Sequence, residues 1–236
     1  MRRIKKIKKR YELVISICAI FIWFLYDNNI IGNTYSADDN IISYSKYDIP
    51  SYSGEDYVIL NDNNPYFDDY TVDEFEIYGP LDSFGRCTYA YANVSIKTMP
   101  NEKRESIGMI KPSGWKLSKY DFIEGKYLYN RCHLIGFQLT GENANVNNLI
   151  TCTRKMNNGI MLLYENKVAN YVKKTYNHVM YRVTPVYDDD NLLAKGVIME
   201  GYSVEDSGAG IRFNIFVYNV QDGVIIDYSN GDNYPL

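Results

Sequence analysis

From Tyr57 onward, short apolar runs alternate with polar, glycine-bearing stretches, which is the pattern of strands joined by turns. YVIL (57–60) ends at the turn-rich NDNNP, and after YGPLDSFGR the run CTYAYANVSI (87–96) alternates as a half-buried strand does. PNEKRESIG, opened by Pro100, is a polar segment with room for one helical turn. YLYNRCHLIGF (127–137) reads as a further strand, followed by the polar loop TGENANVNN and the apolar run LITC. From Lys155 to Thr175 the spacing becomes helical: Leu162, Val168, Tyr171 and Val172 are expected on one face, and Asn166, Lys173 and Lys174 largely off it. Gly159 weakens the first turn of that helix. HVMYRVTPVY, AKGVIMEGYSV, IRFNIFVYNV and VIIDY then follow as strands joined by DDDN, EDSGAG and QDG, with no internal repeat. The predicted class is α+β, with a central antiparallel sheet, one principal helix and a C-terminal β-meander.

The first 26 residues stand apart. MRRIKKIKKR carries seven Lys and Arg, and the apolar run ELVISICAIFIWFLY follows it. A basic segment before a short apolar one predicts a signal peptide or an N-terminal membrane anchor, basic end inside. The apolar run is short against the about 20 residues of a bilayer span. Tyr35-Ser36-Ala37 is a poor cleavage site, so both outcomes stay open. Residues 27–50, rich in Asn, Ser, Asp and Tyr, are expected to be a flexible tether, and 51–236 the folded domain. The expected location is outside a bacterial cell, secreted or held on the outer face of its membrane.

Composition adds little, except that 24 tyrosines against 9 phenylalanines suit half-wet sheet faces. Charge adds more. Residues 86–182 hold 15 Lys and Arg against 6 acids, while 27–85 and 183–236 together hold 3 against 22. A cationic centre in an acidic chain suggests a cleft for a polyanion, with a steep loss of binding in salt. The plainer outcome is that these charges scatter over the folded surface. Cys87, Cys132 and Cys152 lack metal-site spacing. Three small buried thiols are expected, with a Cys132–Cys152 bridge as the alternative.

One of only two histidines, His133, ends the strand YNRCH, and Asn157 opens the helix beyond the polar loop. If strand and helix pack, the imidazole and the carboxamide meet across a small cleft. An amide oxygen suits a cation that keeps most of its waters, as Mg²⁺ does, and a neutral imidazole nearby can take a proton from water. On a continuous helix Glu165 would sit about 12 Å along the axis from Asn157 and about 80° round, too far to share an ion directly. It could instead hold a metal-bound water. Asn148 could hydrogen-bond the imidazole or steady the loop. A lone histidine in a strand is commonly a satisfied core residue, and it is the company of Asn148, Asn157 and Glu165 that favours catalysis here. His178, without such company, is expected to be structural. A Cys132–His133 nucleophile pair is disfavoured because adjacent strand residues face opposite sides. Trp115, Lys116 and Lys119 could flank a nucleic-acid strand, although Trp115 also suits a core.

NRCHLIG, NNLITCTRKMN and YENKV together resemble the DNA/RNA non-specific endonuclease family of ββα-metal (His-Me finger) nucleases, in particular secreted streptococcal-type DNases and nucleases of DNA uptake. The likeness also takes in GRCTYAYAN, SIGMIKPSGW and the C-terminal strands, from about Tyr57 to Asn233. It implies a ββα-metal core and His133 as general base. It further implies Asn157 as the metal ligand, Glu165 holding metal through water, Asn148 as a supporting residue and Arg131 as a phosphate contact. Arg154 and Lys155, just before Asn157, could also reach phosphate. Mg²⁺ is the implied cofactor, with Mn²⁺ as a substitute, and DNA the implied substrate, with RNA left open. The family's Asp-Arg-Gly-His is here Asn130-Arg131-Cys132-His133, which removes a charge before the arginine and the glycine before the histidine. The rival reading is a surface-anchored protein that binds or takes up DNA without cutting it.

Overall fold

The computed structural model describes residues 49–236. The leader (1–26) and all of the tether but its last two residues therefore lie outside the described residues. No described helix is long and apolar enough to cross a membrane.

Six antiparallel strands form the main sheet: β1 (Tyr57–Ile59), β2 (Glu76–Tyr78), β3 (Ala90–Val94), β6 (Val179–Val186), β7 (Gly196–Ser203) and β8 (Arg212–Tyr218). Their order is β1-β8-β7-β6-β3-β2, so the three long C-terminal strands make a meander at the centre and three-residue strands close both edges. Short edges limit the unpaired backbone a sheet offers to other chains. β6 is buried along its whole length, because both faces of the sheet are covered. On one face Arg182 and Glu200, paired across β6 and β7, meet at 2.8 Å. Phe67 and Tyr91 lie against the Arg182 guanidinium, and Glu200 also accepts the Tyr66 N–H at 2.7 Å. That wrapping by residues 60–75 is why the strands read as nearly continuous apolar runs.

The other face carries a strand–strand–helix module. β4 (Tyr129–His133) and β5 (Leu149–Thr153) form a separate antiparallel pair, linked through the short helix α1 (Phe137–Thr140) and a polar loop. β5 runs straight into a helix without a connecting loop. Thr153 makes this possible: its hydroxyl accepts the Met156 N–H at 3.2 Å and donates to the Val220 carbonyl at 2.8 Å. The helix comes in three parts: α2 (Arg154–Met156), a π-helical turn (Asn157–Met161) and α3 (Leu162–Thr175). Tyr164, Val168, Ala169 and Val172 of α3 join Cys132, Leu134, Ile135 and sheet residues such as Tyr181 and Phe213 in one apolar core.

Three expectations are corrected here. Leu162 is exposed at 40%, not on the core face, because it lies about 120° round the helix from Val168; Tyr164 and Glu165 turn inward instead. Cys132 and Cys152 form a disulfide, leaving Cys87 as the free, buried thiol among the described residues. β2 and β10 (Asn233–Pro235) add strands to the predicted set, the one too short and the other proline-bearing; β10 pairs with β9 (Val224–Ile226), the strand expected at VIIDY.

Candidate active site

His133 closes β4 at its register partner Leu149, and the pairing continues past it by other means. Leu134 N–H donates to the Asn148 carbonyl at 2.9 Å. The Asn148 side chain then accepts the Ile135 N–H at 2.9 Å and donates to the Ile135 carbonyl at 3.0 Å. Of its two anticipated tasks, the fully buried Asn148 performs the loop-holding one and does not touch the imidazole.

The histidine ring itself is held at both nitrogens. Nε2 lies 2.8 Å from the main-chain carbonyl of Asn143, which can only accept, so the proton sits there and Nδ1 keeps its lone pair. The Arg104 guanidinium approaches Nδ1 at 3.2 Å. Burial, with Arg104 nearby adding to the effect, pushes the imidazole down to about 4, so it is neutral at physiological pH.

A cavity of about 330 Å³ brings together His133, Arg104, Gly136, Asn157 and Glu165. The continuous α-helix assumed from the spacing is replaced by the π-helical turn, with Gly159 at φ −93° and ψ −108°. Asn157 and Glu165, eight residues apart across this break, both line the one cleft. The Asn157 amide nitrogen donates to Asn158 Oδ1 at 2.9 Å, which leaves its carbonyl oxygen for other partners. Glu165 is buried, and its carboxyl is pushed up to about 7, the burial outweighing hydrogen bonds from Gln138 and the Gly136 main chain and the charge of Arg104. Gly136 is required for this packing: a Cβ there would stand 2.3 Å from the carboxylate.

The other predicted residues sit elsewhere. Arg131 donates to the main-chain carbonyls of Ile110 and, at 2.8 Å, Gly108, and its guanidinium stacks 4.0 Å over Trp115. It lines the neighbouring cavity and braces the segment that follows Arg104. Arg154 is turned toward Gly125, and Lys155 is held at 2.7 Å by both Asp56 and Asp222; neither lines the His133 cavity. Cys132, fully buried and in the disulfide, is no nucleophile. His178 binds Glu205 through its main-chain N–H and, at 2.6 Å, through its ring, the structural role expected of it. Sequence reasoning missed Arg104 and the Asn143 carbonyl. The first lay in a segment read only as polar, and the second leaves no trace in residue type.

The donors around the cleft fit a hydrated divalent cation. The Asn157 carboxamide oxygen and the buried Glu165 carboxyl, which no salt bridge among the described residues engages, line a cavity with room for several waters at about 30 Å³ each. Among the described residues no group of three or more His, Cys, Asp or Glu could grip a metal by itself. A bound ion would therefore keep much of its water shell.

Residues 68–205 match the family described as DNA/RNA non-specific endonuclease. Among solved structures, the fold is similar to NucA from Streptococcus agalactiae with magnesium bound, at 24% identity and a TM-score of 0.67, covering 75% of this chain and 87% of that one. The same NucA without metal gives 25% identity and 0.66, covering 75% and 86%. The Sda1 nuclease with bound zinc gives 30% identity and 0.58, covering 69% of this chain and 81% of that one. No curated protein matches.

Proposed function

The chain belongs to the DNA/RNA non-specific endonuclease family and is a nucleic-acid-cleaving enzyme; from that premise we propose that it is an exported, divalent-metal-dependent endonuclease that cuts DNA without regard to sequence, using His133 as general base. RNA is a second substrate to be tried beside DNA.

The observation that carries this reading is the state of His133. Its proton is committed to the Asn143 carbonyl, so Nδ1, which faces Arg104, is the nitrogen whose lone pair would accept one from water. A low pKa keeps that lone pair available across the physiological range. Arg104, now at Nδ1, has the reach and the charge to move onto a non-bridging phosphate oxygen once water takes its place. Asn157 supplies the carboxamide ligand and Glu165 a carboxylate for a metal-bound water. A divalent ion there would withdraw charge from the phosphate and stabilise the departing oxygen. Mg²⁺ is favoured by the oxygen-only donors, and Mn²⁺ would be tolerated for the same reason. Asn148 acts on the base indirectly, by fixing the backbone just beyond it.

Export is supported by the basic-apolar leader and by a disulfide, a bond that persists in oxidising surroundings. Whether the leader is cut or remains as an anchor is read by N-terminal sequencing of protein from the medium. The catalytic reading is tested by plasmid nicking: cutting with Mg²⁺, none with EDTA, and cutting slowed by about 10²–10⁴ in His133→Ala, which still folds and binds DNA. Cutting by His133→Ala at the wild-type rate would refute the base; DNA binding without any cutting by the wild type would favour the uptake-protein reading.

A further inference from the structure

Beside the His133 cleft lies a second cavity, of about 490 Å³, that shares Arg104 and Asn157 with it. Its size falls within the about 300–1,000 Å³ usual for small-ligand sites. Trp115, Tyr127 and Leu117 form apolar walls, and no acidic residue lines it. Tyr127 is 42% and Leu117 73% exposed, so the described residues leave these apolar groups in contact with solvent.

Of the two cations lining this cavity, Arg104 faces His133 and Arg131 presents a flat surface. Arg131 lies stacked on Trp115 with donors already given to the 108 and 110 carbonyls, so its guanidinium plane is fixed. Beyond the lining, Lys119 stands 4.6 Å over the Tyr127 ring. A site meant for phosphate alone would keep such donors free. A fixed guanidinium backed by indole, facing aromatic and aliphatic walls, suits a planar heteroaromatic ring tethered to an anion.

We propose that this cavity receives the nucleobase of the nucleotide adjoining the scissile phosphate. The substrate is then a single strand, or a duplex opened locally, since a paired base must leave its stack to enter. This rests on the proposed hydrolytic site, because adjacency through Arg104 and Asn157 is what sets the base one nucleotide from the cut. Asn130 lines the same cavity, and its carboxamide offers both a donor and an acceptor, so it can meet the edge of any base. Occupancy by a base is in this way compatible with cutting at every sequence.

The test uses the full chain with Mg²⁺ and a single-stranded oligonucleotide bearing one abasic residue at a known position. Cleavage at the phosphate on one fixed side of the abasic residue is expected to fall about tenfold, with the other phosphates cut as in the intact strand. Tyr127→Ala is expected to raise KM for the intact strand and to erase the abasic contrast. Leu117→Ser, at the most exposed wall, serves the same purpose should Tyr127→Ala fold poorly. An unchanged cleavage map, or variants that retain the full contrast, would overturn the proposal. If the wild type cuts nothing, the hydrolytic reading has failed instead. Binding anisotropy of His133→Ala in EDTA then reads the cavity alone: weaker binding of a strand with several abasic residues supports it, and equal binding overturns it.

Discussion

A histidine sealed between a carbonyl and an arginine, and a carboxyl sealed against a glycine, respond to acid in opposite senses. His133 falls from its ordinary 6.5 to about 4, so the stability of burying it neutral is present above 6.5 and lost as pH drops toward 4. Glu165 rises from 4.5 to about 7, so its favourable contribution is present below 4.5 and lost as pH climbs through 7. In metal-free protein the two trends oppose each other between those values. Glu165→Gln should therefore raise stability near pH 8 by roughly 1–3 kcal/mol in EDTA, read by urea unfolding, while depressing Mg²⁺-dependent cutting. A less stable variant at that pH would contradict the buried charge. At saturating Mg²⁺, which would hold Glu165 ionised, the rate of cutting should hold at about pH 6 and fail only toward 4, and an acid limb that stays centred on 6.5 under those conditions would mean that another group is the base. His133→Ala should cost about 10²–10⁴ in kcat. Of these actors, His133, Asn157 and Glu165 could be named in advance because their types and spacing are chemical signals. Asn143 acts through a carbonyl that every residue owns, and Arg104 was one charge among several in PNEKRESIG.

At the scale of elements, the strand, strand, helix order was legible from the switch of period near Lys155, and so were the long C-terminal strands. The π-helical turn was not, since Gly159 signals weakness without saying which way the helix will break. Deleting Gly159 should restore a regular helix and turn Asn157 by about 100° relative to Glu165. Loss of at least about a hundredfold in cutting with unchanged helical circular dichroism is expected; full activity would show the turn to be incidental. The Cys132–Cys152 bond closes a 20-residue separation across β4 and β5, one residue before the histidine. Spacing alone could not distinguish it from buried thiols, because pairing depends on strand register. Replacing both cysteines with alanine should remove about 3 kcal/mol of stability, seen as a lower midpoint in urea.

Over the whole molecule, folding pairs five of the fifteen cations of the 86–182 segment with acids of the flanking segments. Arg86, Lys97, Lys116, Lys155 and Arg182 meet Asp82, Glu74, Asp232, Asp56 with Asp222, and Glu200, acids drawn from the flanking segments. Linear charge blocks hid this because the partners are 4 to 116 positions distant in the chain. These pairings take five of the fifteen cations out of the count that can meet phosphate, so a slope smaller than the full count would give is expected. With two or three phosphates neutralised, log binding against log salt should slope about −2 to −3, measured by anisotropy with His133→Ala in EDTA. A slope near −8 would place many more cations on the substrate. The sulfur bridge, finally, makes geometry a record of place. If the chain is exported as proposed, its two sulfurs remain thiols in a reducing cytosol and the hairpin bearing His133 is unpinned there. On that reading a producing cell would carry the unclosed hairpin past its own chromosome, to be locked by the oxidants it meets outside.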